Sequence, residues 1–351
     1  MDRRTFLKTT TLAAGSGLAL SSTPALAKPD EDQLAAPAVT QGVTELMFAT
    51  PWAADVPVLG DASARMMSRL GLALGDRFRL VQVEAPPGSA DLTFGPLPVD
   101  QDPAFGFFAG LPGSLGLEAS QLQAWLAGGG GQMLWDDLAA QHGWKPILAG
   151  HSGSRPGLWA NRPIERAADL AGGSIVVSGL GVPMARVLGA EPIDLPPSEL
   201  QGALASGRVA AVEWGNPLAG LVVGLPGVAT HFFRDGIHRT GTATALSIRL
   251  SAWSRLDPSV RAALEGAAAR ELSLSLAEAL AHERSAEQAI ASTPSLSIAD
   301  IPASLAAEID TVTTALIDDI GASSPDAARI RDGYMAFRRL LSMPDPAPLS
   351  A

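Results

Sequence analysis

Between residues 146 and 216 the spacing of hydrophobic positions switches repeatedly between the strand period and the helix period. The order it predicts is strand, turn, strand, helix, short strand, helix, strand. Residues 174–177, Ser-Ile-Val-Val, form a β-branched apolar run that Gly179 and Gly181 interrupt, and Pro183 then suits the first turn of a helix reaching Leu188. Ser198-Glu199-Leu200-Gln201 has capping-box spacing, which predicts a helix starting there and ending at Gly207. Residues 209–212 return to the strand pattern and deliver Glu213 and Trp214 at its end. Strands alternating with helices predict a parallel sheet, and such sheets take ligands beyond the carboxyl ends of their strands.

The flanking segments follow the same logic. Residues 45–50 read as a strand, 61–74 as a helix with Met66, Met67, Leu70 and Leu74 on one face, and 77–83 and 90–94 as further strands. Only residues 84–89 separate the last two, whereas a parallel crossover takes about a dozen residues. Those strands are therefore antiparallel, non-adjacent or not both in the sheet. Residues 120–126 and 132–140 are amphipathic around four glycines, 128–131, which read as a helix break because no Lys-Ser or Lys-Thr follows to make a phosphate loop. Residues 231–233 and 242–248 are strands. Residues 258–291 form one helical pattern, about 50 Å long, enough to brace two lobes. Residues 305–317 and 325–341 add two more helices.

Composition narrows the function. The first 27 residues combine Arg3-Arg4-Thr5-Phe6-Leu7-Lys8, a short apolar run and Ala25-Leu26-Ala27, the pattern of a twin-arginine signal peptide. This predicts export to the periplasm. Residues 28–42 read as a flexible linker and 346–351 as a tail. A net charge of −11 argues against nucleic acid or an anionic membrane as partner. The absence of cysteine excludes disulfides, thiol catalysis and thiolate metal sites.

The succession P-x-x-A-G-x-x-G-x-x-x-G-x-W-x-N from Pro146, Asp169-Leu170-x-Gly172, Gly179-Leu180-Gly181, and L-G-A-x-P-x-x-L-P-x-x-E-L-x-x-A-L-x-x-G-x-V-x-A-x-E-W ending at Trp214 resembles the solute-binding proteins of TRAP transport systems. Within them it is most similar to the branch that binds 2-oxo carboxylates. The resemblance runs from about residue 105 to about residue 249. It implies an α/β, two-lobed periplasmic binding fold, with a ligand cleft between the lobes and a long helix spanning both. The expected division is residues 43–150 plus 237–275 in the first lobe and 151–236 plus 276–345 in the second. Capture of a small 2-oxo or 2-hydroxy monocarboxylate by hinge closure, and delivery to membrane permease subunits, are the implied activity. Pairing of two subunits through C-terminal helices is also implied. No catalytic residue and no organic cofactor are expected.

The resemblance assigns roles residue by residue. The Glu213 carboxylate and the Trp214 backbone carbonyl would hold a sodium ion that bridges to the solute, and the Trp214 indole would pack on it. Asn216 would bond the ligand or cap the next segment. The aromatic stretch 105–112 would line the cleft. Two departures stand out. Val176 falls where relatives carry the Arg that pairs with the solute carboxylate, on the strand leading to Ser178. Arg155 falls where they carry a Gln. The Arg155 guanidinium, a planar fork suited to a carboxylate, is thus the candidate replacement cation, and it argues against sodium at Glu213. Arg155, Glu213, Trp214, Asn216, Val176 and Ser178 form the expected solute site.

Two other readings compete. One is a divergent exported relative with a changed ligand or an interaction role. The other is a serine hydrolase, since Gly150-His151-Ser152-Gly153-Ser154 approaches the G-x-S-x-G elbow. It misses at the fifth position and lacks a following helical segment. The five histidines, at 142, 151, 231, 238 and 282, show no H-x-x-x-H pair and read as structural or solvent-facing.

Overall fold

The apolar runs pair into two sheets that the chain visits, leaves and revisits. A computed structural model describes residues 42–54, 56, 58–84, 89–153 and 156–343. The segments expected to be a signal peptide (1–27), most of the expected linker (28–42), the expected tail from 346, and Arg155 lie outside the described residues. The first pass through the chain gives β1 (Thr44–Ala49), α1 (Leu59–Leu74), β2 (Phe78–Gln82), β3 (Leu92–Pro96), α2 (Gly106–Ala109), α3 (Ala119–Gly128), α4 (Gly131–Gln141) and β4 (Trp144–His151). The chain then crosses over and forms β5 (Leu158–Ala160), β6 (Ser174–Val176), α5 (Gly181–Val187), β7 (Glu191–Ile193), α6 (Pro197–Ala205), β8 (Ala211–Val212), α7 (Pro217–Val222) and β9 (His231–Phe233). It returns as β10 (Ala243–Arg249) and α8 (Leu250–Trp253), and ends in α9 (Pro258–Ala291), β11 (Ser297–Ala299), α10 (Ala303–Ser323) and α11 (Pro325–Leu341).

The first sheet has the order β2-β1-β3-β10-β4. β1 is parallel to both β2 and β3, so the short link between those two strands spans a position already filled by β1. Of the three alternatives left by the spacing, non-adjacency is the one realised. β10 runs antiparallel between β3 and β4. The second sheet has the order β11-β9-β5-β8-β6-β7, with β6 parallel to β7 and β8, and β5 antiparallel to β8 and β9. The predicted parallel unit is present, with one antiparallel strand, β5, inserted beside it and the parallel pair β9 and β11 beyond.

α9 ties the two lobes together. Leu264, Ala267 and Ala268 are buried with Leu46, Phe48 and Leu246 of the first sheet, whereas Ile290 is buried with Trp159, Val212 and Phe232 of the second. Its start is set by Pro258 at the first helical position, where the missing N–H leaves no bond unmade. Glu271 is fully buried on this helix and accepts from Arg65 and Arg69 of α1, and Arg65 reaches Glu278 at 3.0 Å. The charge is compensated on both carboxylate oxygens, as a buried ion must be.

The C-terminal helices divide differently from the expected boundary at residue 276. α10 places Leu305 and Ile309 in the second-lobe core but Ile317 and Ile320 in the cluster around α2, α3 and α4. α11 packs on α10 and on that first-lobe cluster, where Tyr334 donates to the Leu115 carbonyl at 2.9 Å and Ile330 is buried. There Phe108 stacks between Trp125 and Trp135, with centroids 5.1 and 5.4 Å away.

One local expectation fails. α6 begins at Pro197, not at a Ser198 cap, because Pro196 has the extended conformation of an N-cap and Pro197 fits the first turn. Among the described residues no helix is long and apolar enough to cross a membrane.

Candidate functional site

Two connectors cross between the lobes besides the helices α9 and α10: the one from β4 to β5, and the one from β9 to β10. They are bonded to each other. Ser152 N–H donates to the Thr242 carbonyl, and Thr242 N–H donates to Ser152 Oγ, both at 2.9 Å. Gly241, at φ +75°, lies so close that a Cβ there would stand 2.3 Å from the Gly153 carbonyl oxygen. Only glycine fits this backbone approach.

The segment after β8 reaches both connectors. Glu213 N–H donates to the Val176 carbonyl at 2.9 Å, which continues the β6–β8 pairing one residue past the strand. Glu213 itself is buried, and its carboxylate accepts from His238 Nδ1 at 2.6 Å, from His238 N–H at 3.2 Å and from Ile237 N–H. Asn216 does two jobs. Its Oδ1 accepts from Ala219 N–H at 3.0 Å and so caps α7, while its Nδ2 donates to the Ser152 carbonyl at 3.0 Å. Trp214 lies between these anchors, half-buried against the second-lobe cluster. Ser152, Asn216, Pro217, Leu218, Ala279 and Glu283 line a small crevice, partly open to solvent.

The remaining predicted site residues separate. Ser178 is exposed in the turn before α5. Val176 is buried with Trp159, Leu200 and Val212, so its side chain belongs to the core beneath the site. The alternation Ile175, Val176, Val177 already implied opposite faces: Ile175 and Val177 join the cluster on the other side of the sheet. His238 and Leu180 were not singled out as site residues. Leu180 follows the turn after β6 and is buried in the first-lobe cluster against Gly106, where a Cβ would stand 2.3 Å from Leu180 Cδ1. The signal for His238 was weak, a lone histidine two residues after a glycine.

Ser152 is not set on a nucleophile elbow. β4 leads through the connector into a strand rather than a helix, and Ser152 Oγ accepts a backbone N–H. The neighbouring His151 is buried, with its pKa pulled from 6.5 to about 4 by loss of hydration. Its Nδ1 accepts from Gly153 N–H at 3.1 Å. His231 contacts Thr230, His142 contacts Asp102, and His238 is held by Glu213.

Residues 114–323 match the bacterial extracellular solute-binding proteins, family 7. The chain belongs to that family. A monocarboxylate 2-oxoacid-binding periplasmic protein of Nostoc sp. is 31% identical over 158 residues, which span 45% of this chain and 43% of that protein. Thus less than half of that curated relative's length is matched. Two solved structures share the fold. A TRAP transporter solute-binding protein from Bordetella bronchiseptica, with copurified calcium and picolinate, has a TM-score of 0.77 at 21% identity, covering 86% of this chain and 93% of its own. A TRAP periplasmic solute-binding protein from Pseudoalteromonas atlantica, with bound sodium and pyruvate, has a TM-score of 0.77 at 20% identity, covering 86% and 95%. The family's members are solute-binding receptors, and its setting is extracellular or periplasmic.

The metal ions of those relatives pose a test for this chain. A hard cation needs oxygen lone pairs directed at it. The Glu213 oxygens direct theirs at internal N–H groups, and among the described residues no three His, Asp or Glu side chains converge as a metal site would require. Glu213 as arranged does not fit a metal ion.

Proposed function

We propose that this chain captures a small 2-oxo or 2-hydroxy monocarboxylate between its two lobes and delivers it to the membrane subunits of a TRAP transport system. The observation that carries this reading is the segment Glu213–Asn216, which stands at the carboxyl end of β8 and is hydrogen-bonded to both connectors. A solute resting on Trp214 touches a stretch hydrogen-bonded to both connectors. Its differential affinity for the closed arrangement then drives closure.

In this reading Trp214 packs on the solute, Asn216 and Ser178 flank it, and Arg155 pairs with its carboxylate. Val176 shapes the floor from within the core. The Nostoc relative's 2-oxoacid binding and the pyruvate of the Pseudoalteromonas protein support the ligand class. Export through the twin-arginine route, by residues 1–27, places the protein where a TRAP receptor works. Pairing of two copies through C-terminal helices belongs to the same proposal.

A melting-temperature screen with pyruvate and longer 2-oxo and 2-hydroxy acids tests it. Ligand at about a hundred times its dissociation constant adds about 2.7 kcal/mol, a rise of several degrees. Arg155→Ala should abolish the rise without lowering the ligand-free transition. No rise with any of these acids would favour the divergent reading, with a different solute.

A further inference from the structure

Glu213 lies where the fold's relatives lead one to look for a cation-binding carboxylate, and three features of this chain fill the place a cation would take. The first is the donor set. An ionised carboxylate offers about four lone-pair directions and no proton. Oε1 receives His238 Nδ1 at 2.6 Å, and Oε2 receives Ile237 N–H, with His238 N–H directed between the two oxygens at 3.2 and 3.4 Å. Because the carboxylate can only accept, Nδ1 is the donor.

The second feature is backbone proximity. Gly236 passes so near that a Cβ there would stand 2.0 Å from Oε2, so that oxygen is closed off by main chain. The third is what lies behind the imidazole. Its Cε1 edge faces Gly181, where a Cβ would be 2.8 Å away, and its Nε2 faces Gly179, where the distance would be 3.8 Å. The ring is wedged between Glu213 and the turn before α5, and both side chains are almost wholly buried. An ion could reach Glu213 only by expelling an N–H donor and leaving it unpaired in the interior, which costs more than a surface site would return.

We propose that His238 takes the place of the metal ion: it satisfies Glu213 from within, and solute capture by this chain needs no metal. The solute half of this statement rests on the proposed function, while the metal half does not. His238 acts here as a positioning residue. Through Glu213 it holds the connector that leads to Ile237, whose carbonyl accepts from Gly113 N–H of the first lobe at 2.8 Å.

The test uses the purified protein in chelator-treated buffer with choline as the only monovalent cation. Calcium or sodium is added first alone and then with pyruvate. The wild-type melting temperature should not move with either ion, and the dissociation constant of pyruvate should be the same with and without them. His238→Ala removes the imidazole donor from Glu213 Oε1, opens the space the ring filled, and should acquire a calcium-dependent rise in melting temperature. His238→Asn, which keeps a side-chain N–H donor, should remain indifferent. Stabilisation of the wild type by either ion alone, lost in Glu213→Gln, would overturn the proposal even if His238→Ala fails to fold. Pyruvate that is silent in every buffer would refute the solute reading, and the ion-only arm would still decide the metal question.

Discussion

Asn216 Nδ2 donates to the Ser152 carbonyl at 3.0 Å, so a residue that caps a second-lobe helix also holds the connector leaving β4. Asn216→Ser keeps a good cap but is too short to reach Ser152, while Asn216→Ala loses both. The cap contributes about 1 kcal/mol and the second bond about as much. In denaturant unfolding the serine variant should fall between wild type and alanine; equal losses in the two variants would show that only the bond to Ser152 matters, and a serine variant as stable as wild type would show that only the cap does.

The Glu213–His238 pair is buried on both sides, and removal of one member leaves the other uncompensated. His238→Ala should cost on the order of 3 to 5 kcal/mol in folding stability. Glu213→Gln combined with His238→Ala should cost less than His238→Ala alone, since the charge disappears with its partner. A double-mutant cycle from unfolding midpoints checks this, and additive losses would mean the pair is not coupled.

Burial holds the pKa of His151 near 4, below its ordinary 6.5. Between those values the unfolded chain takes up a proton that the folded chain refuses. Stability from this residue is therefore fully present above about pH 6.5 and falls as the pH drops towards 4, by up to about 3 kcal/mol. His151→Gln should flatten that part of the stability profile. A profile unchanged by the substitution would mean another group governs it.

Leu180 enters the first-lobe core against Gly106, which makes this contact a peg between lobes. Gly106→Ala places a methyl group on the peg and should cost about 1 to 3 kcal/mol through overpacking. Leu180→Ala in the same chain should recover part of that loss, because it removes the atom in the way. Solute affinity should respond as well, since the contact bridges the two halves that close.

Much of this architecture was legible because local and global signals agree. Pro258 and the unbroken Ala-Leu-Glu pattern after it mark α9 to its observed ends, and Ser324-Pro325 marks α11 as cleanly, with Ser324 capping it. In the second sheet β6 follows from the β-branched run before Gly179, whereas β11 (Ser297–Ala299), a short edge strand after α9, was not expected. The start of α6 was misread because a Ser-x-x-Gln spacing competed with Pro197, and a proline at the first helical position prevailed. The site was legible only in part. Glu213 and Trp214 follow from their place after a strand, but the Glu213 partner is 25 residues away with no periodic relation to it. Long-range pairing of that kind leaves no trace in spacing. The burial of Val176 beneath the site was implied by the alternation around it, yet the family pattern drew attention to its position instead.

Calorimetric titration of pyruvate into the wild-type protein and into Trp214→Ala tests the central claim, that a 2-oxo monocarboxylate is held at the end of β8. One saturable site in the wild type, lost in a Trp214→Ala protein that still unfolds cooperatively, is the predicted result. Equal binding by both proteins, or none by the wild type to pyruvate or any longer 2-oxo acid, would contradict it.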